Sequence, residues 1–192
     1  MPRPTRAELA AARSRTVADV LPGPGDPPCA VLFCGINPGL VTALTGHHFG
    51  RPGNRFWPAL HRSGFTPRLL RPAEQDELRA LGLGITNMVA RATARADELT
   101  DDEVRAGGRR LRDLVADVRP RWLAVVGITT YRVAFAAPRA VVGPQDAAVG
   151  EARVWLLPNP SGLNAHFSVD GLAEQFAELR HAVEATRENR NR

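Results

Sequence analysis

The amino-acid sequence predicts an α/β fold in which helices cover both faces of a mostly parallel sheet. Short apolar segments, typical of buried strands, alternate along the chain with segments whose apolar residues recur at helical spacing. This alternation favours a parallel sheet, because each parallel strand needs a crossover connection, usually a helix, to reach the next strand. The 192 residues suffice for one substantial core, so we expect one main domain.

The amino-terminal segment, residues 1–28, is predicted to be a helical extension followed by a connector. Thr5 and Glu8 stand at the spacing of a capping box, and alanine-rich sequence follows, which predicts a helix up to about Val20. Proline and glycine then dominate residues 22–28, a composition typical of a connector. We expect the helix to be docked on the main domain or loosely attached to it.

The main domain is predicted to span residues 29–186 and to end before a frayed tail, residues 187–192. The apolar segments with the composition of buried strands are 30–34, 83–89, 122–126 and 153–157. The segments that favour helices are 54–60, 72–81, 100–118, 129–136 and 170–186. The helix that begins at Thr100 opens with a second capping box and carries its apolar residues on one face.

Charge and composition restrict the possible functions. The formal net charge is +5, and all 25 basic residues are arginine, which favours a polyanionic partner. Because the sequence contains no lysine, it excludes a P-loop and a Schiff base formed by a lysine side chain. No apolar run is long enough to span a bilayer, and charges interrupt the first 15 residues. We therefore expect a cytoplasmic protein with neither a membrane segment nor a signal peptide.

Cysteine and histidine usage does not indicate a metal site. Cys29 and Cys34 lie at and in the first predicted strand, and we interpret them as buried apolar residues. Two thiolates are too few for a four-thiolate iron–sulfur or zinc site. His47, His48 and His166 lack metal-ligand spacing, and we interpret them as histidines of a pocket rim or of the solvent-exposed surface, with phosphate contact as the alternative. The sequence predicts neither a metal nor an organic cofactor.

Polar side chains follow predicted strands at three places. Asn37 comes after the first strand, Asp97 lies in the loop after the second, and Asn159 follows the fourth. These loops should meet at the carboxyl edge of the sheet, where open α/β sheets bind their ligands. An asparagine amide there can hold a water or polarise a carbonyl, but it cannot take a proton as a base. From the residues alone, a simple turn residue remains an equal interpretation of Asn37.

Three motifs in this order resemble those of the mismatch-specific uracil-DNA glycosylases, the family that also contains the thymine-DNA glycosylases. Residues 35–40 read Gly-Ile-Asn-Pro-Gly-Leu, residues 54–57 read Asn-Arg-Phe-Trp, and residues 159–163 read Asn-Pro-Ser-Gly-Leu. The resemblance extends from about residue 30 to residue 186. It implies a three-layer α/β/α fold, and an enzyme that flips uracil out of double-stranded DNA and hydrolyses the glycosidic bond.

The resemblance also implies roles for individual residues around the base. Asn37 matches the catalytic asparagine that positions the attacking water, and Phe49 matches the aromatic residue that stacks on the flipped base. The backbone N–H groups of Ile36 and Phe49 fall where the family contacts the carbonyl oxygens of uracil. Asn159 would close the other side of the pocket, and Thr42 lies near the position at which the family senses the 5-position of the base. Without the resemblance, Phe49 would more often be a core residue.

A wedge that enters the vacated base stack is implied for residues 162–164. Gly162, Leu163 and Asn164 match the segment that fills this space and touches the widowed guanine, and an apolar wedge offsets part of the unstacking cost. Without the resemblance, Leu163 would more often be a core residue under its loop. The sequence departs from the family after the wedge, since Ala165 stands where relatives carry an arginine. We therefore expect weaker contact with the base opposite the flipped one.

These observations predict a monofunctional, monomeric hydrolase that removes uracil, best from G·U mispairs, and leaves an abasic site. Because an amide is a poor substitute for a base, Asp97 is the candidate carboxylate that assists Asn37, with a surface role as the alternative. Three other functions stay open: a sibling glycosylase for another damaged or mispaired base, a non-catalytic DNA-damage-binding protein, and an unrelated nucleotide-binding enzyme. The last is disfavoured because the sequence lacks both phosphate-loop glycines and lysine.

Overall fold

The computed structural model describes residues 4–162 and 167–188, with the side chains of residues 187 and 188 excepted. The strands are β1 (Val31–Gly35), β2 (Leu83–Asn87), β3 (Trp122–Val126), β4 (Gly143–Val149) and β5 (Ala152–Leu157). The α-helices are α1 (Arg6–Ala11), α2 (Leu40–Thr45), α3 (Phe56–Arg62), α4 (Asp101–Val118), α5 (Ile128–Ala134) and α6 (Val169–Glu188). The 3₁₀ segments are Ala12–Ser14, Pro72–Leu81 and Ala96–Glu98.

The strands form one mixed sheet in the order β2-β1-β3-β5-β4. The first four strands of that order are parallel, and β4 pairs antiparallel with β5 at the outer edge. In the interior strand β1, Phe33 lies opposite Ile85 of β2 on one side and Ala124 of β3 on the other. All residues of β1, β2 and β3 are buried, as expected for parallel strands that are covered on both faces.

Two hydrophobic layers separate the sheet from its helices. Phe33 points to the layer shared with Phe56 of α3 and Phe176 of α6, whereas its neighbour Leu32 points to the layer shared with Leu111 of α4. Successive residues of a strand face opposite sides, so one strand supplies both layers. The predicted α/β fold with a mostly parallel sheet between helical layers is therefore confirmed.

The amino-terminal segment differs from its prediction. The Thr5 capping box is present, but α1 ends at Ala11, a 3₁₀ turn follows, and the helix does not continue to Val20. Val20 instead forms an antiparallel bridge with Ile85, with N–H···O distances of 2.9 and 2.8 Å. This bridge satisfies backbone N–H and C=O groups at the β2 edge. Helix propensity does not reveal that these residues can pair with the sheet instead of continuing the helix. Ala12 is fully buried against α2 and Ala92.

Two other elements also depart from the sequence predictions. Strand β4 was not predicted, because its exposed residues and Pro144 lack the apolar pattern of a buried strand. Residues 72–81 form a 3₁₀ segment with a kink at Glu74, not a regular α-helix. Cys29 and Cys34 are buried as expected, and burial raises the pKa of the Cys29 thiol to about 12. No helix within the described ranges has the length and apolar character needed to cross a membrane.

Candidate active site

A cavity of about 600 Å³ opens at the carboxyl ends of the parallel strands. Its walls come from the loop after β1, from α2, from the end of β2, from the 3₁₀ turn at Ala96–Glu98 and from the loop after β5. The predicted site residues that line it are Ile36, Asn37, Thr42, Phe49, Asp97 and Asn159. The topology thus brings together side chains as far apart in the sequence as Ile36 and Asn159.

The amide of Asn37 is held in one orientation by the loop after β2. Its Nδ2 donates to the carbonyl oxygen of Arg91 at 2.8 Å and to Oγ1 of Thr93 at 2.7 Å. Thr93 is buried, and its backbone N–H donates to the carbonyl oxygen of Pro38, which ties the two loops together. Since both N–H groups of the amide point into the protein, Oδ1 is left as an acceptor; it has no hydrogen-bond partner among the described residues.

Phe49 forms a flat wall of the cavity. Its ring stacks on Phe56 with the centroids 3.9 Å apart and an angle of 14° between the planes. The backbone of Phe49 is left-handed, with φ at 53°, which is uncommon for a residue with a side chain. Within the described chain, its N–H has no hydrogen-bond partner. A left-handed residue with a free N–H at a cavity wall is a strained arrangement of the kind found at binding sites.

Asn87 lies at the end of β2 and was not predicted as a site residue. It is 7% exposed and lines the cavity. Its Nδ2 lies 3.3 Å from Nδ1 of His48, and its Oδ1 lies beside the backbone of Gly35. A Cβ at Gly35 would approach this oxygen to 2.7 Å and the Phe49 ring to 3.3 Å, so only glycine leaves room for both side chains.

His48 is buried, which corrects its interpretation as a rim or solvent histidine. Its ring contacts the carbonyl oxygen of Ala18 through Nε2 at 2.9 Å. Burial lowers the pKa of the imidazole below its ordinary value, although the Ala18 hydrogen bond and the charge of Asp19 oppose this shift. The backbone of His48 is fixed as well, because its N–H donates to Oε1 of Gln75 at 2.7 Å.

The loop after β5, which carries the motif that begins at Asn159, also lines the cavity. Oδ1 of Asn159 accepts from the N–H of Ser161 at 3.0 Å, which shapes the turn. Arg55, at the start of α3, holds this loop: its N–H donates to the carbonyl oxygen of Pro160 at 2.9 Å, and its guanidinium donates to those of Ser161 and Phe167. The loop is therefore anchored to α3 on both sides of residues 162–166.

Only the first residue of the predicted wedge is described. Gly162 is exposed, and a Cβ there would lie 2.7 Å from the carbonyl oxygen of Gly53. Leu163 and Asn164 lie outside the described residues, as does His166. The role of the wedge therefore stays a prediction.

Thr42 and Asp97 both line the cavity. Thr42 is buried in α2, and its Oγ1 accepts from the N–H of Gly50 at 3.3 Å. The side chain of Asp97 is 61% exposed and forms an ion pair with Arg95. In the described part of the chain, no three or more histidine, cysteine, aspartate or glutamate side chains are grouped as metal ligands. The cavity lining thus combines amides, an aromatic ring and apolar groups with the charged side chains of Arg51, Arg95 and Asp97.

The sequence interpretation missed the place of Asn87 in the cavity and the burial of His48, and only the first carries a recognisable signal in the sequence. Asn87 ends an apolar strand just as Asn37 follows one, so the same strand-end criterion would have found it. His48 stands next to Phe49, but burial of a histidine depends on distant residues such as Ala18 and Gln75. That dependence is why composition and spacing gave no indication of it.

Fold and cavity together define an α/β protein with a cavity at the carboxyl edge of the sheet, where open α/β sheets bind their ligands. Fixed amides and an aromatic face line this cavity, a combination suited to a flat polar group. A family model identifies the group to which the protein belongs. The model of the uracil DNA glycosylase superfamily matches residues 22–186, so the chain belongs to that superfamily. Membership implies a DNA glycosylase, that is, a hydrolase of DNA repair with DNA as its partner.

Proposed function

We propose that this protein excises uracil from double-stranded DNA, best from G·U mispairs, and leaves an abasic site without cutting the strand. The target nucleotide would leave the base stack and enter the cavity, because the glycosidic bond cannot be reached within the duplex. The absence of lysine supports a monofunctional hydrolase, since the side chain that most often forms a Schiff base is missing. We propose that the protein acts as a monomer.

The orientation of the Asn37 amide carries this proposal. Hydrogen bonds to Arg91 and Thr93 occupy both N–H groups, so Oδ1 is available to accept a hydrogen bond from a water molecule. A water held in this way is positioned for attack but is not deprotonated. Positioning alone reduces the barrier through proximity and orientation.

Charge separation in the transition state would be stabilised by fixed N–H donors at the cavity wall. As the glycosidic bond breaks, negative charge develops on the oxygens of uracil and the sugar becomes oxocarbenium-like. Fixed N–H donors stabilise such a developing anion without needing to reorganise. The free N–H of Phe49 is one donor at the cavity wall, and we propose that of Ile36 as another. Since general-base catalysis typically contributes about a hundredfold or more, we expect a slow enzyme.

The base itself would be held by Phe49, Asn87 and Asn159. The exposed face of the Phe49 ring offers a stacking surface, supported from behind by Phe56. The Asn87 amide offers an acceptor and a donor to the edge of the base, and Asn159 bounds the opposite side. Residues 162–164 would fill the space in the stack, as the resemblance implies.

Single-turnover kinetics of the wild type and Asn37→Ala test this proposal. Matched duplexes carry G·U, A·U or G·T, and a single strand carries uracil; abasic sites are detected by alkaline cleavage. We expect fastest release from G·U, a loss of about a hundredfold or more in Asn37→Ala, and intact strands without alkali.

A binding measurement serves as the control for this experiment. Fluorescence anisotropy with the G·U duplex should give similar affinities for the wild type and Asn37→Ala, because the variant removes a water-positioning group and no phosphate contact. A wild type that binds the duplexes but releases no base would be a DNA-damage-binding protein. Fastest release from G·T would instead indicate a sibling glycosylase, for which the small Thr42 beside the base would leave room.

A further inference from the structure

We propose that His48 fixes the orientation of the Asn87 amide and so makes the cavity select bases with the pairing edge of uracil over those with the edge of cytosine. His48 acts here as a positioning residue, because its ring contacts Asn87 and is not among the residues that line the cavity. The inference rests on the proposed base-excision function.

The position of His48 is determined on every side. Its N–H donates to Gln75, and its carbonyl oxygen accepts from the indole N–H of Trp57 at 3.1 Å. Trp57 belongs to α3 and is itself buried in the hydrophobic core. The backbone is held in this way, and His48 as a whole residue is only 1% exposed. The imidazole therefore has little freedom to rotate.

The contact with Ala18 determines which ring nitrogen carries the proton. A carbonyl oxygen can only accept, so the 2.9 Å contact requires that Nε2 of His48 be protonated. In the neutral imidazole, Nδ1 is then an acceptor only. The group of Asn87 that faces Nδ1 at 3.3 Å must therefore be its NH₂ and not its carbonyl oxygen.

This arrangement fixes what Asn87 offers to a ligand. One of its N–H groups is used by His48, which leaves the other N–H and Oδ1 for the cavity. Uracil presents a ring N–H beside a carbonyl oxygen, and it pairs with an acceptor beside a donor. Cytosine presents an acceptor beside an amino group, so it would require the amide to turn over. Turning the amide would bring Oδ1 against the lone pair of Nδ1 and would lose the hydrogen bond.

Ala18 gives the amino-terminal segment a part in this selection. It lies before residue 22, where the superfamily match begins, yet its carbonyl oxygen fixes the tautomer of a residue next to the cavity. Ala18 is itself followed by Val20, whose bridge to Ile85 holds the segment on the edge of the sheet that ends in Asn87. The relay thus runs from Ala18 through His48 to Asn87.

Rates of release of 5-fluorouracil and 5-fluorocytosine test the inference. The two bases share the activating substituent and differ at the pairing edge, and the same two duplexes are given to each variant, so differences in base pairing cancel. We expect His48→Phe to lower the ratio of the two rates by about fivefold, the factor that corresponds to one hydrogen bond of ordinary net strength. His61→Phe, in α3 and outside the cavity, should keep the wild-type ratio.

A spectroscopic measurement on the wild type tests the same inference without depending on the folding of a variant. Nitrogen-15 NMR of the imidazole should show the proton on Nε2 of His48 at neutral pH. A proton on Nδ1, or an unchanged rate ratio in a folded His48→Phe variant, would overturn the proposal. A wild type that releases neither the fluorinated bases nor uracil would refute both the proposed function and the selectivity. The NMR measurement would then still show whether the Ala18 carbonyl oxygen holds the proton on Nε2 of His48.

Discussion

At the scale of single residues, the cavity relies on amides whose orientation is set by their neighbours. Asn37 is fixed by Arg91 and Thr93, and Asn87 is fixed by His48. An amide does not titrate, so its hydrogen-bonding pattern stays the same over the physiological pH range. An amide cannot act as a strong base. The proposed mechanism relies instead on a water positioned by Asn37 and on fixed N–H donors.

One substitution can decide whether Asp97 assists catalysis or is only a surface residue. If its carboxylate assists the water held by Asn37, Asp97→Ala should lower the single-turnover rate by about tenfold or more. If it is a surface residue, the rate should stay within about twofold of the wild type. Because the carboxylate is 61% exposed and pairs with Arg95, we expect the second result. Asp97→Asn, which keeps the shape of the side chain, controls for the loss of volume.

His48 should make the stability of the protein depend on pH. Its folded-state pKa lies below the ordinary value of 6.5, mainly because burial disfavours the charged ring. The unfolded state therefore binds a proton more readily, and the free energy of unfolding should fall as the pH drops below about 6.5. The contribution is fully present above that value and is lost towards the folded-state pKa.

Urea unfolding of the wild type and of His48→Phe between about pH 5 and pH 8 measures this effect. The difference in unfolding free energy between the two proteins should shrink as the pH falls. Asp19 is the charged group that acts on the ring, and its carboxylate favours protonation, so Asp19→Asn should steepen the loss. A difference that does not change with pH would show that His48 has the same pKa in the folded and the unfolded state.

The sequence predicted much of the site at this scale, for a physical reason. Asn37, Asp97 and Asn159 line one cavity, as expected for loops that leave parallel strands at one edge, and Phe49, whose place only the resemblance implied, lines it too. The partners that orient them were not predictable, because they depend on tertiary contacts between distant parts of the chain. The carbonyl oxygen of Ala18, which fixes His48 from 30 positions away, is the clearest example.

At the scale of elements, α4 packs tightly against the end of β2. Gly107 lies so close to Met88 that a Cβ would stand 2.3 Å from the carbonyl oxygen. Arg110, one turn further along, donates to the carbonyl oxygen of Asn87. The helix therefore supports the strand end from which Asn87 enters the cavity.

We expect Gly107→Ala to destabilise the protein in spite of the better helix propensity of alanine. Overpacking of this kind costs about 1–3 kcal/mol, against a propensity gain of about 1 kcal/mol. The added methyl group would push α4 away from β2, so the rate of uracil release should fall as well. Gly23→Ala is the matched control, since a Cβ there has no atom within 4 Å. Equal thermal stability of the two variants would contradict the contact.

The elements themselves were predictable to different degrees. Strand β3 has the bounds that its apolar run predicted, and the Thr100 capping box begins α4 as expected. Buried strands and capped helices carry their pattern in neighbouring residues. Strand β4 and the bridge at Val20 do not, because an edge strand is defined by its partner and its exposed residues have no apolar period.

At the scale of the whole molecule, the arginines differ in how far they are neutralised. Many pair with acidic neighbours; Arg105, for example, contacts both Asp101 and Asp102 on α4. Arg51 lines the cavity, is exposed and forms no ion pair within the described ranges. An unpaired cation beside the site is suited to a phosphate group of the bound DNA.

DNA affinity should therefore fall with salt, and Arg51 should contribute to that dependence. Between about 50 and 200 mM salt we expect a linear fall of log affinity against log salt concentration. Arg51→Ala should weaken binding about equally for all sequences and reduce the slope by about 1, whereas Arg105→Ala should leave the slope nearly unchanged. Anisotropy titrations at several salt concentrations measure both. A wild-type affinity that is independent of salt would count against DNA as the partner.

The way in which the two edges of the sheet are covered affects whether copies of the chain can associate through them. At the β2 edge, Val20 already occupies backbone groups of Ile85. At the β4 edge, Pro144 lacks an N–H, and the register shifts between Gln145 and Val149. Neither border presents a long, regular row of free backbone groups to which a strand of another molecule can add. Aggregation by strand addition is thereby disfavoured, even when many copies are concentrated along one DNA molecule.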